Sequence, residues 1–259
     1  MHPNLNIAIR AARRAGDLIL RASARVDTVS AELKGRQDFV TKVDRDAEAV
    51  IIDTLRTAYP GDAFLGEESG AIGDSERVWI IDPLDGTTNF LHGFPVYAVS
   101  IALAERGILQ QAVVYDPNRD ELFTATRGSG AQLNNRKIRV SGQRKLERAL
   151  LGTGFPVRDE KLFRNYLGSF NRLSLETSGI RRAGSAAIDL SYVACGRLDG
   201  FWEFGLSSWD IAAGVLLIQE AGGIVTTPQG KDDYLATGAL VAGNPHLCEA
   251  IRNSVATAP

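Results

Sequence analysis

The sequence predicts a mixed fold of α and β elements, an α+β part over residues 1–145 followed by an α/β part over residues 146–259. Three observations carry this. Two amphipathic helical stripes open the chain and are followed by a crowd of strand signals; from about residue 146 strands and helices alternate; and no linker, internal repeat or low-complexity tract separates the parts. The two parts are therefore expected to form one compact unit.

Residues 3–24 place Leu5, Ala8, Ile9, Ala12, Ala15, Ile19 and Ala22 at the three-to-four spacing of one buried helical face. A second helix is expected from about Thr41 to Ala58, with Val43, Ala47, Val50, Ile51 and Leu55 inward. Thr41 and Asp44 stand three apart at its start, as a capping pair does. Tyr59-Pro60-Gly61-Asp62 stops it. Strand signals follow at Phe64–Leu65, Val78–Ile81, Val96–Leu103, Ile108–Tyr115 and Glu121–Ala125, with a further short strand at Lys137–Val140, and they read as an antiparallel meander. The second part reads as strands at Ala149–Gly152, Ile180–Arg182, Gly200–Glu203, Ile224–Thr226 and Leu240–Ala242. These alternate with helices near 159–173, 186–195, 210–221 and 246–256.

A chain of 259 residues can bury a substantial core without covalent staples. Its two cysteines, Cys195 and Cys248, are far apart and no secretory signal is evident, which fits reduced thiols in a cytoplasmic protein. No apolar run approaches the roughly 20 residues of a membrane span. With 29 basic and 31 acidic residues the formal net charge is −2, so direct nucleic-acid binding is not expected. Short basic runs such as Arg136-Lys137-Ile138-Arg139 and Arg181-Arg182 read as solvated surface.

The most informative segment is Trp79-Ile80-Ile81-Asp82-Pro83-Leu84-Asp85-Gly86-Thr87-Thr88-Asn89-Phe90. An apolar strand runs into two carboxylates, a glycine and two hydroxyls at the start of a helix. Asp82 and Asp85 can hold hard divalent cations through oxygen, while amides around Gly86 and Thr87 can face an anion. That combination suits cleavage of a phosphate monoester, whose dianionic group needs charge neutralised around the phosphorus. The same residues also suit a strand, a proline turn and a helix cap. His2, His92 and His246 are scattered and match no zinc spacing.

With Gly66-Glu67-Glu68-Ser69 upstream, Ser208-Trp209-Asp210 downstream and Thr41-Lys42-Val43-Asp44 earlier, the chain resembles the inositol monophosphatase family, and within it the bacterial inositol-1-monophosphatase branch. The likeness runs from Leu5-Asn6-Ile7-Ala8 to Val241-Ala242-Gly243-Asn244-Pro245. It implies a five-layer αβαβα sandwich with the active site in a cleft at the interface of the two parts, and a lithium-sensitive enzyme that uses two to three Mg2+ ions to hydrolyse myo-inositol 1-phosphate and related polyol phosphates. It implies Glu67, Asp82, Asp85, Asp210 and the Leu84 carbonyl as metal ligands. Thr87, backed by Asp44, would position the attacking water, and Glu67 would take a share of its proton. Asp85, Gly86, Thr87, Gly184, Ser185, Ala186 and Glu203 would contact substrate. Lys34 to Asp38 would be a polar loop over the site, and a homodimer is the family habit.

Alternatives within the family are a 3′-phosphoadenosine 5′-phosphate phosphatase, a fructose-1,6-bisphosphatase or a histidinol-phosphate phosphatase. Arg181 and Arg182 keep a second phosphate open. A haloacid-dehalogenase-like phosphatase is disfavoured, because its paired aspartates stand two apart and share a strand face, whereas Asp82 and Asp85 stand three apart. Some bacterial members resemble components of RNA polymerase antitermination complexes, so a regulatory role beside the transcription machinery is a further expectation.

Overall fold

The computed structural model describes residues 2–26, 31–35, 38–157 and 159–256. Helix α1 (Pro3–Ser23) buries Leu5, Ala8, Ala12, Ala15 and Ile19, and α2 (Lys42–Ala58) buries Val43, Ala47, Ile51 and Leu55. Ile9, Ala22 and Val50, expected inward, stand half-buried at the edges of their stripes. Between the helices, β1 (Ala31–Gly35) and β2 (Asp38–Thr41) pair antiparallel. The polar loop expected over Lys34–Asp38 is thus a hairpin in its described backbone. Arg36, Gln37 and the side chains of Lys34 and Asp38 lie outside the described residues.

Eight strands form the larger sheet: β3 (Ala63–Gly66), β4 (Gly70–Ile72), β5 (Arg77–Asp85), β6 (Ala98–Glu105), β7 (Ile108–Asp116), β8 (Glu121–Thr126), β9 (Gly130–Leu133) and β10 (Arg136–Lys137). From β5 to β10 the order is the expected antiparallel meander. At the other edge the expectation fails, because β3 and β5 are parallel, with Gly66 opposite Ile81. The chain leaves β3, pairs back on its outer side as β4, and only then enters β5. Parallel pairing brings the C-terminal ends of β3 and β5 to the same edge, so Glu67 emerges beside Asp82. The Glu67 amide donates to the Ile81 carbonyl at 3.1 Å.

The smaller sheet, in the order β12-β11-β13-β15-β14, holds β11 (Leu150–Thr153), β12 (Gly179–Arg181), β13 (Gly200–Glu203), β14 (Ile224–Thr226) and β15 (Leu240–Gly243). β11 runs parallel to β12 and β13, while β15 is antiparallel to β13 and β14. Five helices accompany it: α4 (Glu160–Glu176), α5 (Ala186–Ala194), α6 (Ser208–Glu220), the short α7 (Tyr234–Thr237) and α8 (Cys248–Ala256). A one-turn helix, α3 (Thr87–Leu91), follows β5.

Three apolar clusters define the layers. Leu5, Ile19 and Ile51 pack with Trp79 and Ile101 on the outer face of the larger sheet. Leu190, Leu216 and Leu217 of α5 and α6 pack with Val114 and Phe123 on one side and Phe201 and Leu240 on the other. Tyr166 and Ile251 of α4 and α8 pack with Trp202 on the outer face of the smaller sheet. The result is the αβαβα sandwich. Helices α5 and α6 are apolar nearly all round because they are covered on both sides, as a fully enclosed helix must be. Both come from the second half of the chain, yet they share a core with the sheet of the first half. Among the described residues no helix is long and apolar enough to cross a membrane.

Candidate active site

The spacing of Asp82 and Asp85 finds its explanation in the ladder of β5 and β6. Asp82 pairs with Ser100 and Asp85 with Ala98, so three steps on one strand oppose two on the other. One extra residue at this bulge cancels the strand alternation and puts both carboxylates on the same face. Pro83, which has no amide to give the ladder, sits inside the bulge. That face looks towards the middle layer, since Ser100 Oγ donates to the Trp209 carbonyl at 3.3 Å.

Here a cleft of about 520 Å³ opens between the larger sheet and the second half of the chain. Glu67 comes from the end of β3, Asp82 and Asp85 from β5, and Asp210 from the first turn of α6, and all four line it. Asp82 is 2% exposed and accepts from the Leu84 amide at 3.0 Å. Burial, and then the carboxylates of Glu67, Asp85 and Asp210, hold its carboxyl well above the usual range. Asp85 is pushed up to about 6, mainly by burial, against the opposing pull of its hydrogen bonds from Ser185 and Ala187. Asp210 also caps its own helix, accepting from the Ser207 amide at 2.7 Å, so cap and site coexist.

Among the described residues no three His, Cys, Asp or Glu side chains stand ready-made around one ion. The donor chemistry nevertheless fits a hard divalent cation: the acids offer oxygen donors, which such cations favour over nitrogen or sulfur, and their mutual repulsion is relieved by positive charge. The Leu84 carbonyl, the expected fifth donor, lies 3.1 Å from Thr87 Oγ1.

Thr87 Oγ1 also lies 2.8 Å from Asp44 Oδ1. Asp44 itself does not line the cleft; it is buried behind Thr87, 1% exposed. Its other oxygen accepts from the Thr41 amide at 2.8 Å and from the Thr41 hydroxyl, closing the capping box of α2. One carboxylate thus fills both roles, with Oδ2 on the cap and Oδ1 on the threonine.

Gly86 precedes α3 with φ of 99°, in the left-handed region that favours glycine, and a Cβ there would lie 2.9 Å from the Val96 carbonyl. Asn89 on α3 donates to the Val96 carbonyl at 2.7 Å and to the Ala183 carbonyl at 2.9 Å, which ties this turn to the approach to α5. Gly184, Ser185 and Ala186 line the opposite wall. Ser185 caps α5, and its hydroxyl donates to Asp85 Oδ2 at 2.7 Å, while the Ala187 amide reaches the same oxygen at 2.6 Å. Ser185 therefore engages the cleft through a side chain as well as the backbone anticipated for it. Glu203, at the end of β13, also lines the cleft, its carboxyl raised well above its ordinary range by burial, then by Asp189 and Asp210, against Arg182.

Three residues escaped the sequence reading, and a fourth, Arg182, was read without a place in the cleft. Asp189 interrupts the apolar run Ala186-Ala187-Ile188-Asp189-Leu190, and a single acid in such a run was its signal. Gly154 leaves the space that Glu203 occupies, since a Cβ there would stand 1.9 Å from Oε1. Asn89 carried no distinguishing pattern. Arg182, read with Arg181 as solvated surface and as a place open to a second phosphate, lines the cleft with its guanidinium 5.2 Å from the Phe155 ring centre. Arg181 instead points outward and donates to the Ile180 carbonyl at 3.1 Å.

Residues 1–258 match the inositol monophosphatase family. A Pseudomonas aeruginosa protein named Nus factor SuhB is 55% identical over 261 residues, covering 98% of this chain and 96% of the relative. The crystal structure of extragenic suppressor protein suhB from Bartonella henselae superposes with a TM-score of 0.95 at 46% identity, covering 98% of each chain. An inositol monophosphatase structure from Anabaena gives 0.85 at 38% identity, covering 98% of this chain and 96% of that one.

Proposed function

The chain belongs to the inositol monophosphatase family, and from that premise we propose that it is a magnesium-dependent phosphomonoesterase whose first substrate is myo-inositol 1-phosphate. The observation that carries this is one cleft lined by four carboxylates from three separate segments, with the Asp44–Thr87 pair at its edge.

Glu67, Asp82, Asp85, Asp210 and the Leu84 carbonyl would hold two to three Mg2+ ions, which when bound would neutralise phosphate charge and acidify a water. The remaining work falls to the chain. Asp44 holds the hydroxyl proton of Thr87, leaving a lone pair on Oγ1 to accept from water and direct its oxygen at phosphorus. Glu67 takes a share of the water proton. The amides of Gly86 and Thr87 bind phosphate oxygens. The water oxygen joins phosphorus as the ester bond breaks, and the departing alkoxide takes up a proton to leave as inositol. Asp85, steadied by Ser185 and Ala187, and Glu203 accept from hydroxyls of the alcohol, and the backbone of Gly184–Ala186 lies along its ring.

The test is phosphate release with Mg2+ from myo-inositol 1-phosphate, fructose 1,6-bisphosphate and 3′-phosphoadenosine 5′-phosphate. The reading expects inositol 1-phosphate to lead and Asp82→Asn to abolish turnover. Absence of hydrolysis on every substrate would sink it.

A second reading follows from the relative named Nus factor, 55% identical over nearly its full length. On that reading the protein, as a cytoplasmic homodimer, also contacts the transcription machinery. Complementation separates the two: an Asp85→Asn protein that lacks turnover yet restores every growth phenotype assigns the biological role to binding, and one that restores none assigns it to catalysis.

A further inference from the structure

The half of the cleft facing α5 holds a carboxyl group without a protein partner. Asp189 is 2% exposed and lines the cleft, between the buried apolar neighbours Ile188 and Leu190. Among the described residues no donor hydrogen-bonds its carboxylate. A buried polar group left in this state costs stability, and the cost is recovered only when a donor completes it.

The surroundings say which donor. The carboxyl carbon of Asp189 would lie 3.5 Å from a Cβ on Gly152, and Glu203 fills the space a Cβ on Gly154 would take. Glycines two apart at the end of β11 share a side, so the two carboxyls lie along one wall. Asp85 faces the same space, and one guanidinium, that of Arg182, acts against all three acids. Three carboxyls against one cation repel a second phosphate. A neutral hydroxyl, by contrast, can donate to any of them. Arg182, which in sequence kept a bisphosphate open, lies in the field of these acids.

We propose that Asp189 is a specificity-determining residue that accepts a hydrogen bond from a hydroxyl of the leaving alcohol, next to the hydroxyl taken by Glu203. This rests on the reading that the cleft binds a polyol phosphate. It selects monophosphates of alcohols bearing neighbouring hydroxyls and rejects alcohols that lack them.

The experiment compares myo-inositol 1-phosphate with p-nitrophenyl phosphate, which has no hydroxyl on its leaving group, using wild type, Asp189→Leu and Asp189→Asn. The ratio of kcat/KM for the inositol ester to that for the nitrophenyl ester should fall roughly tenfold or more in Asp189→Leu, through KM. Asp189→Asn, which keeps shape and one acceptor, should recover much of it and covers the case in which the leucine variant fails to fold. Neither folded variant should melt below wild type, since each removes an unpartnered carboxyl. Equal loss on both esters, or an unchanged ratio, overturns the assignment to Asp189 while the polyol reading stands. Wild type that hydrolyses only the nitrophenyl ester and binds no myo-inositol 1-phosphate by calorimetry overturns both.

Discussion

Ser185 Oγ donates to Asp85 Oδ2 at 2.7 Å, joining two residues a hundred positions apart. The Ala187 amide reaches the same oxygen, so the start of α5 holds one carboxylate oxygen and leaves the other to the cleft. Through this contact the second half of the chain orients an acid carried by the first. Ser185→Ala should lower stability by about 1 kcal/mol through the lost helix cap and should also lower turnover. Melting curves and steady-state kinetics measured together check this, and a stability loss with unchanged turnover would mean that Asp85 needs no such support.

The division of labour within Asp44 makes a second case. Asp44→Asn keeps the shape of the cap but weakens acceptance from Thr87, so kcat should fall roughly a hundredfold with little change in KM, the range expected for proton-directing groups. Thr87→Ala should match it, and the double variant should be no worse than either single one, because the pair acts as a unit. Additive losses would contradict that unit.

Asp82 is held in a repulsive, buried environment. Asp82→Asn should therefore raise the melting temperature of protein stripped of metal by EDTA, while abolishing turnover, since removal of an uncompensated charge relieves the fold. Wild type should gain thermal stability on adding Mg2+ by mass action, and the variant should gain much less. A variant that melts lower in EDTA would place a stabilising role on Asp82 instead.

Gly154 makes room for Glu203. Gly154→Ala would push that carboxylate aside, because the new methyl carbon would lie 1.9 Å from Oε1. KM for myo-inositol 1-phosphate should rise several-fold, and the response to added Mg2+ in melting should stay as in wild type. An unchanged KM would remove Glu203 from the substrate contacts.

The raised Glu203 carboxyl sets a sign for pH dependence. An acid whose folded pKa exceeds its unfolded value, about 4.3 for glutamate, binds more protons when folded. Its stabilising effect is thus full at low pH and is lost as pH rises through the folded value. Glu203→Gln should melt near wild type at pH 4 and progressively above it towards pH 8. A difference that shrinks with rising pH would refute the direction.

Much of this protein is legible locally. The stripe of α1, the Thr41–Asp44 cap, the strands Gly200–Glu203 and Ile224–Thr226, and the acids of the Asp82–Thr87 segment all follow from neighbours within a few residues. Short β4 and β9 were missed because three or four residues carry too little pattern, and the antiparallel reading of β3 failed because strand direction is set by the path of the chain between strands.

By itself, then, the sequence determined which residue types stand at which spacing: oxygen donors after an apolar strand, a Thr41–Asp44 cap ahead of an amphipathic helix, and strands alternating with helices in the second part. Tertiary structure alone decided that β3 runs parallel to β5 and delivers Glu67 to Asp82, that a bulge turns Asp82 and Asp85 to one face, and that Asp189 and Arg182 belong to the cleft. The reason is that propensity and capping act over a turn or two of chain. Pairing direction, desolvation and charge repulsion depend on partners dozens of residues away, which come into reach only when the layers close.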